Sequence, residues 1–423
     1  MTKDNIRTIP DLRLSDPSRV LSRVAQIGSI GRTEDGGCSR LAFSEQDIEA
    51  RDLVASWMRD LGMSVTSDAI GNLIGILPGA SDVAPLVIGS HIDTVENGGK
   101  YDGVLGVLAG LEVAHLIVEE GRAPERPLWV IAFTNEEGSR FQPDLMGSAV
   151  FSGRLGLAEA LRSKDSAGST VEQELARHQI AGSFSIPETP LYGFLELHIE
   201  QGPVLEAEEI SIGIVTGIQG FRWLQFNFEG EANHAGTTPM TFRHDASLGA
   251  AWLVNHIKVL TQTHDGLVGN VGDVRLTPSN INVIPGHARA LVDLRHPEQG
   301  VLDNVVETLK IELKEAGQKL ELGTTVKDVA NGSVTQFDAR LVDLIEDCAN
   351  DLAIPSRRLV SGAAHDAQMI AGFAPTAMVF VPSRGGISHN PKEHTSDVHI
   401  REGISVLLTV ARHLLFESDR NVP

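Results

Sequence analysis

The strongest constraint on this chain is a set of predominantly apolar runs that each give way to ionisable residues. PLVIGS stops at His91, PLWVIAFT leads through Asn135 to the pair Glu136 and Glu137, and YGFLEL stops at His198. A fourth run, PTAMVFV, opens into a glycine-rich loop holding His389. Continuous rather than alternating apolarity marks strands covered on both faces, as in α/β folds. Between these runs lie helical stretches such as VLGVLAGLEVAHLIVEE, which follows Asp102. In such folds the chemistry collects beyond the carboxyl ends of the strands, so these residues are expected to converge.

At 423 residues the chain exceeds what one hydrophobic core usually supports. Two domains are expected. Residues 46–63 form an amphipathic helix with Leu53, Val54, Trp57, Met58 and Leu61 on its inner face, introduced by Ser44 and Asp47 in the manner of a capping box. From 214 to 332 the pattern changes to strand, helix, two strands, helix and strand, the split βαββαβ order. The last 90 residues return to buried apolar runs alternating with helices, as before 214. Residues 1–213 and 333–423 are therefore expected to form one domain, into which 214–332 is inserted.

The formal charge of −21 argues against nucleic acid or an anionic membrane surface as partner. One or two arginines inside a cleft would still accommodate an acidic small molecule. No apolar run approaches the roughly 18 residues of a membrane span, and the opening MTKDNIRTIPDLRLSDPSRV has no secretory h-region, so a cytoplasmic location is expected. Cys38 and Cys348 are the only cysteines and sit in no redox or metal motif.

Each ionisable residue also has a plain structural reading. His91 is a strand-terminal histidine, with Asp93 two residues on placed to orient its imidazole. Asp102 lies in a glycine-rich turn, GGKYDG, and Glu136–Glu137 reads as an acidic turn. His198 precedes Glu200 and Gln201, and His365 in SGAAHDAQ is a further candidate, for a place behind the ligands. Five such signals at strand ends or the loops beyond them outweigh their separate structural readings. His91, Asp102, Glu137, His198 and His389 make a mixed nitrogen and oxygen donor set suited to Zn²⁺, Mn²⁺, Co²⁺ or Ni²⁺ rather than Ca²⁺ or Mg²⁺. Adjacent carboxylates can divide their roles, one holding metal and the other handling a proton.

The motifs RLAFS, GSHIDTVENGGKYDGVLG, TNEEGSRF, LELHIEQGPVLE, HAGTTPM, NVIPG, SGAAHDA and VPSRGGISHNPKEHTS, in this order, resemble the hydantoinase and carbamoylase branch of the M20 amidohydrolases. The resemblance spans nearly the whole chain. It implies an α/β, phosphorylase/peptidase-like mixed-sheet catalytic domain with helices on both faces, plus an inserted ferredoxin-like α+β domain serving as lid and homodimer surface. It implies two divalent metal ions per subunit, bridged by Asp102, with His91 and His198 at one or other ion and Glu137 and His389 completing the set. Glu136 matches the catalytic base. His234 matches a residue that polarises the scissile carbonyl, within its own subunit or across the dimer. Gln201, Asn282, Arg295 and the backbone near Ala363 match substrate contacts, although SGAAHDA carries alanine where relatives are expected to have glycine. A histidine at 198, where peptidase relatives are expected to have a carboxylate, favours the amidase branch.

The implied reaction is hydrolysis of the carbamoyl C–N bond of N-carbamoyl-L-amino acids. Allantoate amidohydrolase and β-ureidopropionase are the sister readings, and a metallo-aminopeptidase fits less well. A cysteine-dependent carbamoylase would need a reactive thiol, and a non-catalytic binding protein would be expected to have lost a ligand or the base.

Overall fold

The computed structural model describes residues 16–185 and 191–416; most of the opening segment scanned for a leader lies outside them. Contacts divide the chain into two units, residues 1–216 with 336–423, and residues 217–335. In chain order the strands are β1 (Ser64–Ser67), β2 (Leu73–Leu77), β3 (Leu86–His91), β4 (Leu128–Phe133), β5 (Gly193–Ile199) and β6 (Ile212–Ile218). The middle of the chain supplies β7 (Gly220–Glu229), β8 (Asn233–His234), β9 (Val268–Thr277), β10 (Val283–Ile284), β11 (His287–His296) and β12 (Gly323–Gly332). β13 (Thr335–Gln336), β14 (Ser356–Ser361) and β15 (Thr376–Val381) close the set.

The larger unit is built on a mixed sheet in the order β1-β2-β4-β3-β5-β15-β6-β13, with β14 beside β6. Its four central strands, β4, β3, β5 and β15, run parallel, whereas β2 and β6 flank them antiparallel. Every residue of the four central strands is buried. Burial on both surfaces explains why they read as unbroken apolar runs. Because the four are parallel, their carboxyl ends share one edge of the sheet, and His91, Glu136 and His198 arrive there together. His91 is the last residue of β3, His198 the last but one of β5, and Glu136 follows β4 after two residues.

The helix Val104–Glu119 is buried over most of its circumference, which accounts for its nearly continuous apolar sequence. The helix Glu45–Asp60 departs from the expected pattern. Its buried face is Asp47, Ala50, Arg51, Val54, Ala55 and Met58, while Leu53, Trp57 and Leu61 are half-buried. The capping is also shifted: Ser44 Oγ accepts the Asp47 amide, but the Asp47 carboxylate accepts from Phe43 rather than Ser44. The buried Asp47 carboxylate is satisfied by the Phe43 amide, a backbone bond that apolar periodicity does not register.

In the smaller unit the antiparallel sheet order is β12-β7-β11-β9, with helices Ala246–Thr263 and Gln299–Leu320 in the βαββαβ sequence. Its core is Phe226, Phe228, Leu253, Ile257, Leu294 and Leu309 with their neighbours. β8 and β10 form a separate two-stranded ladder in which Val283 pairs with His234.

Among the described residues no helix is long and apolar enough to cross a membrane. Both cysteines are buried, and burial raises their thiols, Cys348 to about 12, so neither carries an activated thiolate.

Candidate metal centre

The expected ligands of the larger unit meet at the carboxyl edge of its sheet, around Asp102. Asp102 Oδ1 lies 3.5 Å from His91 Nε2 and 3.1 Å from His198 Nε2. Its other oxygen lies 3.4 Å from His389 Nε2, which is in turn 3.4 Å from Glu137 Oε2. Within each of the triads His91–Asp102–His198 and Asp102–Glu137–His389 one donor atom per residue falls within 4.8 Å of the others. Glu136 stands beside the first triad, its Oε2 3.4 Å from His91 Nε2.

The hydrogen bonds fix which nitrogens face inward. His91 Nδ1 donates to the carbonyl of Asp93 at 3.0 Å, and His198 Nδ1 to the carbonyl of Ile199 at 2.8 Å. His198 Nε2 also lies 3.2 Å from the amide nitrogen of Gly103, on the side where Asp102 Oδ1 stands 3.1 Å away. Both imidazoles therefore turn Nε2 toward carboxylate oxygens, a position that favours a proton or a cation. With both Nδ1 protons tied to backbone, this is the second-sphere arrangement that orients a metal-binding histidine. The donor set fits divalent ions.

The electrostatics agree with a site built to hold positive charge. Burial disfavours a charge on His91 and His198, yet the surrounding carboxylates, foremost Glu136 for His91 and Asp102 for His198, raise both above the ordinary histidine range. Burial would raise Asp102, but His198, His389 and His91 hold it well below the usual carboxylate range. Glu136 is pushed well above it by burial and by Glu137 and Asp366, against the pull of His91. Glu137 rises to about 7, through burial and Asp102. His389 rises to about 9, chiefly through its hydrogen bond with Asp102.

Local structure explains how each side chain is held. Gly103, at φ 63° and ψ −49°, starts the helix after Asp102, and a Cβ there would run into the His91 ring. Asn135 and Gly138 take positive φ on either side of the glutamate pair. The Asn135 side chain ties that loop down by donating to the carbonyls of Phe141 and Pro143. Asp93 corrects the expectation from sequence. Its carboxylate stands 3.8 Å from His91 Nδ1 and instead accepts the amides of Glu136 at 3.2 Å and Glu137 at 3.3 Å. Its backbone carbonyl, not its side chain, orients the imidazole, because a residue two beyond the strand end has turned toward the loop after β4.

Gln201, at φ 58°, donates through Nε2 to Asp102 Oδ2 at 2.7 Å. His365 packs edge-on against His198 with ring centroids 4.5 Å apart and hydrogen-bonds Ser361 through Nε2. Burial and His198 hold its pKa well below the ordinary range, so it is a neutral support. The amide and carbonyl of Ala363 both engage the hydroxyl of Ser361.

The smaller unit carries the other expected contacts. His234 lies on the β8–β10 ladder and Asn282 directly before β10, where the Ala235 amide donates to the Asn282 carbonyl. His234 Nδ1 accepts the amides of Gly236 and Thr237, which places the proton of the neutral ring on Nε2 as a donor. Arg295 lies on β11 and pairs with Asp293 through Nε and Nη2 at 2.9 and 2.8 Å.

Three residues of the centre were not singled out from sequence. Glu196 accepts from Ser90 Oγ at 2.7 Å and from the Ala367 amide at 2.9 Å, bracing the residue before His91 and the turn after His365. Ser388 and Glu393 join the His389 loop to Asp102. Glu196 sits two before His198 in the same strand, and a carboxylate inside a wholly apolar strand was the available signal.

The Peptidase family M20/M25/M40 model matches residues 87–413. An N-carbamoyl-L-amino-acid amidohydrolase of Rhizobium meliloti is 37% identical over 93% of this chain and 95% of its own. An allantoate amidohydrolase of Bacillus subtilis is 33% identical over 96% of this chain and 99% of its own. The crystal structure of an amidase of the hydantoinase/carbamoylase family from Burkholderia multivorans superposes with a TM-score of 0.92 at 39% identity, covering 95% of this chain and 98% of that one. This chain belongs to the M20/M25/M40 family, among its hydantoinase/carbamoylase-type amidohydrolases.

Proposed function

We propose that the protein is a binuclear metal-dependent amidohydrolase that cleaves the carbamoyl C–N bond of N-carbamoyl-L-amino acids, giving the L-amino acid, carbon dioxide and ammonia. The observation that carries this reading is the division of Asp102 between two triads, one oxygen toward His91 and His198 and the other toward Glu137 and His389. The relative from Rhizobium meliloti supports the substrate class.

Two bound divalent ions, Zn²⁺ or Mn²⁺ with Co²⁺ or Ni²⁺ as alternatives, would supply an acidified water and a polarised carbonyl. Glu136 accepts the proton of the attacking water and delivers it to the departing nitrogen. Its raised proton affinity suits that exchange, since a carboxylate far below neutrality would take the proton up poorly. His234 donates through Nε2–H to the developing oxyanion. Arg295, its guanidinium braced by Asp293, anchors the substrate carboxylate, and Gln201, Asn282 and the Ala363 backbone complete the contacts. We further assign residues 214–332 as lid and homodimer surface, and 1–213 with 333–423 as the catalytic domain.

Ammonia release from a panel of N-carbamoyl-L- and D-amino acids, N-carbamoyl-β-alanine and allantoate tests this, with chelation and metal add-back. Turnover of the L-carbamoyl compounds that stops on chelation and returns with metal is the expected result; activity indifferent to chelation would remove the metal reading. The Bacillus subtilis relative makes allantoate the second reading, and preference for allantoate in the panel would select it.

A further inference from the structure

Ser388 places one hydroxyl between two carboxylates. Its Oγ is 2.8 Å from Asp102 Oδ2 and 2.9 Å from Glu393 Oε2. A serine hydroxyl has a single proton, so it serves one of these acceptors at a time. Glu393 cannot follow it. Its Oε1 accepts the amides of Tyr101 at 2.9 Å and Asp102 at 3.2 Å, and its carboxylate packs where a Cβ on Gly99 would stand. Glu393 is 5% exposed and lies four residues beyond His389, so one side chain staples the loop of Asp102 to the loop of His389.

We propose that Ser388 is a one-proton toggle and Glu393 its resting acceptor, a positioning pair that sets how tightly the Asp102–Glu137–His389 half of the centre holds its ion. This rests on the reading of Asp102 and His389 as metal ligands. A hydroxyl proton aimed at Asp102 Oδ2 competes with a cation for the same oxygen. Turning that proton to Glu393 Oε2 loses no hydrogen bond and leaves Gln201 Nε2, at 2.7 Å, as the side-chain amide donor still on Asp102 Oδ2. Glu393 is thus needed for what it offers Ser388 as well as for the two amides it holds.

The two roles separate by substitution. In Glu393→Gln the amide oxygen stays on the two backbone N–H donors, where no donor nitrogen is tolerated. The Gln NH₂ group then faces Ser388 Oγ and donates to it, locking the serine proton on Asp102. Zn²⁺ titration of the chelator-stripped full-length protein, followed by calorimetry and elemental analysis, gives the affinity and stoichiometry of both ions. Glu393→Gln is expected to weaken the ion of the Asp102–Glu137–His389 half about ten- to hundredfold, the scale of a charge-assisted hydrogen bond working against it. The other ion should change by less than about threefold. Ser388→Ala should bind both ions no more weakly than the unsubstituted protein. The double variant Ser388→Ala/Glu393→Gln should return to within about threefold of Ser388→Ala, because no serine proton is left to compete and the Gln201 donor is common to both.

Unchanged affinities in Glu393→Gln would overturn the toggle, as would a double variant as weak as Glu393→Gln, which would make Glu393 a staple alone. If circular dichroism shows Glu393→Gln unfolded, Ser388→Ala carries the test, and a tenfold loss there overturns the proposal. An unsubstituted protein that binds no divalent ion would instead remove the metal reading itself, an outcome distinct from all of these.

Discussion

Replacing Gly103 by alanine should damage the centre from within the backbone, without touching a proposed ligand. Two costs add. At φ 63° and ψ −49° an alanine is held in the conformation of a strained γ-turn, a cost of about 1–3 kcal/mol. Its Cβ would also enter the His91 ring, whose side chain is 1% exposed and whose Nδ1 is bonded to Asp93. Forcing a packed buried side chain aside costs about 1–3 kcal/mol more. Together these give about 2–6 kcal/mol, or roughly 3–10 °C in melting temperature for a unit of this size. Differential scanning of the chelated protein isolates this cost from metal binding. Gly121→Ala is the control: its φ is 66° but nothing lies within 4 Å of the added Cβ, so only the backbone cost of about 1–2 kcal/mol remains. Gly103→Ala should also lose metal, since the displaced ring belongs to the His91–Asp102–His198 triad. If Gly103→Ala and Gly121→Ala melt together and Gly103→Ala keeps full metal content, the collision argument is wrong.

The remaining predictions concern charge. Glu136→Gln should keep both ions and lose turnover by several orders of magnitude, whereas Glu137→Ala should lose metal; elemental analysis with turnover checks both, and a fully active Glu136→Gln would sink its role as base. In the chelated protein both Glu137, raised from 4.5 to about 7, and His389, raised from 6.5 to about 9, favour the folded state when protonated. Their contributions are complete below pH 4.5 and 6.5 respectively and are lost as pH rises through 7 and then 9, so this centre should make the chelated protein less stable at pH 9 than at pH 6. Metal addition at pH 7 should release protons into a weakly buffered solution, read with an indicator dye, and metal uptake without proton release would contradict the assignment. Arg295→Ala should raise KM strongly for carboxylated substrates while leaving kcat within a few-fold; an unchanged KM would take Arg295 out of the site.

The fold was legible where burial and secondary structure speak through the same residues. β3, β4, β5 and β15 are buried on both faces, so their apolar runs could be read directly, and their parallel pairing brings His91, Glu136 and His198 to one edge. Hidden from sequence were the carboxylates that bond to backbone rather than to other side chains. Asp93 looked like a partner for the neighbouring imidazole, yet it holds amides more than 40 residues away. Glu393 reaches the amides of Tyr101 and Asp102 from nearly 300 residues on. A backbone N–H is the same donor at every position except proline, so it leaves no mark in sequence by which its acceptor could be found. The same reason hid Asp47, whose buried carboxylate accepts the Phe43 amide.

The two triads around Asp102 meet the solvent differently. His91 and His198 are 1% exposed and anchored to the ends of parallel strands, whereas the His389 side chain is 49% exposed on a loop. If both proposed ions are bound, a chelator would meet the exposed His389 side before the imidazoles buried at the strand ends. Ion exchange would then be ordered, with the loop-side ion lost and regained first. A preparation grown or purified in one metal and assayed in another would then settle into a mixed pair, the inner position keeping a record of the metal present when the chain folded.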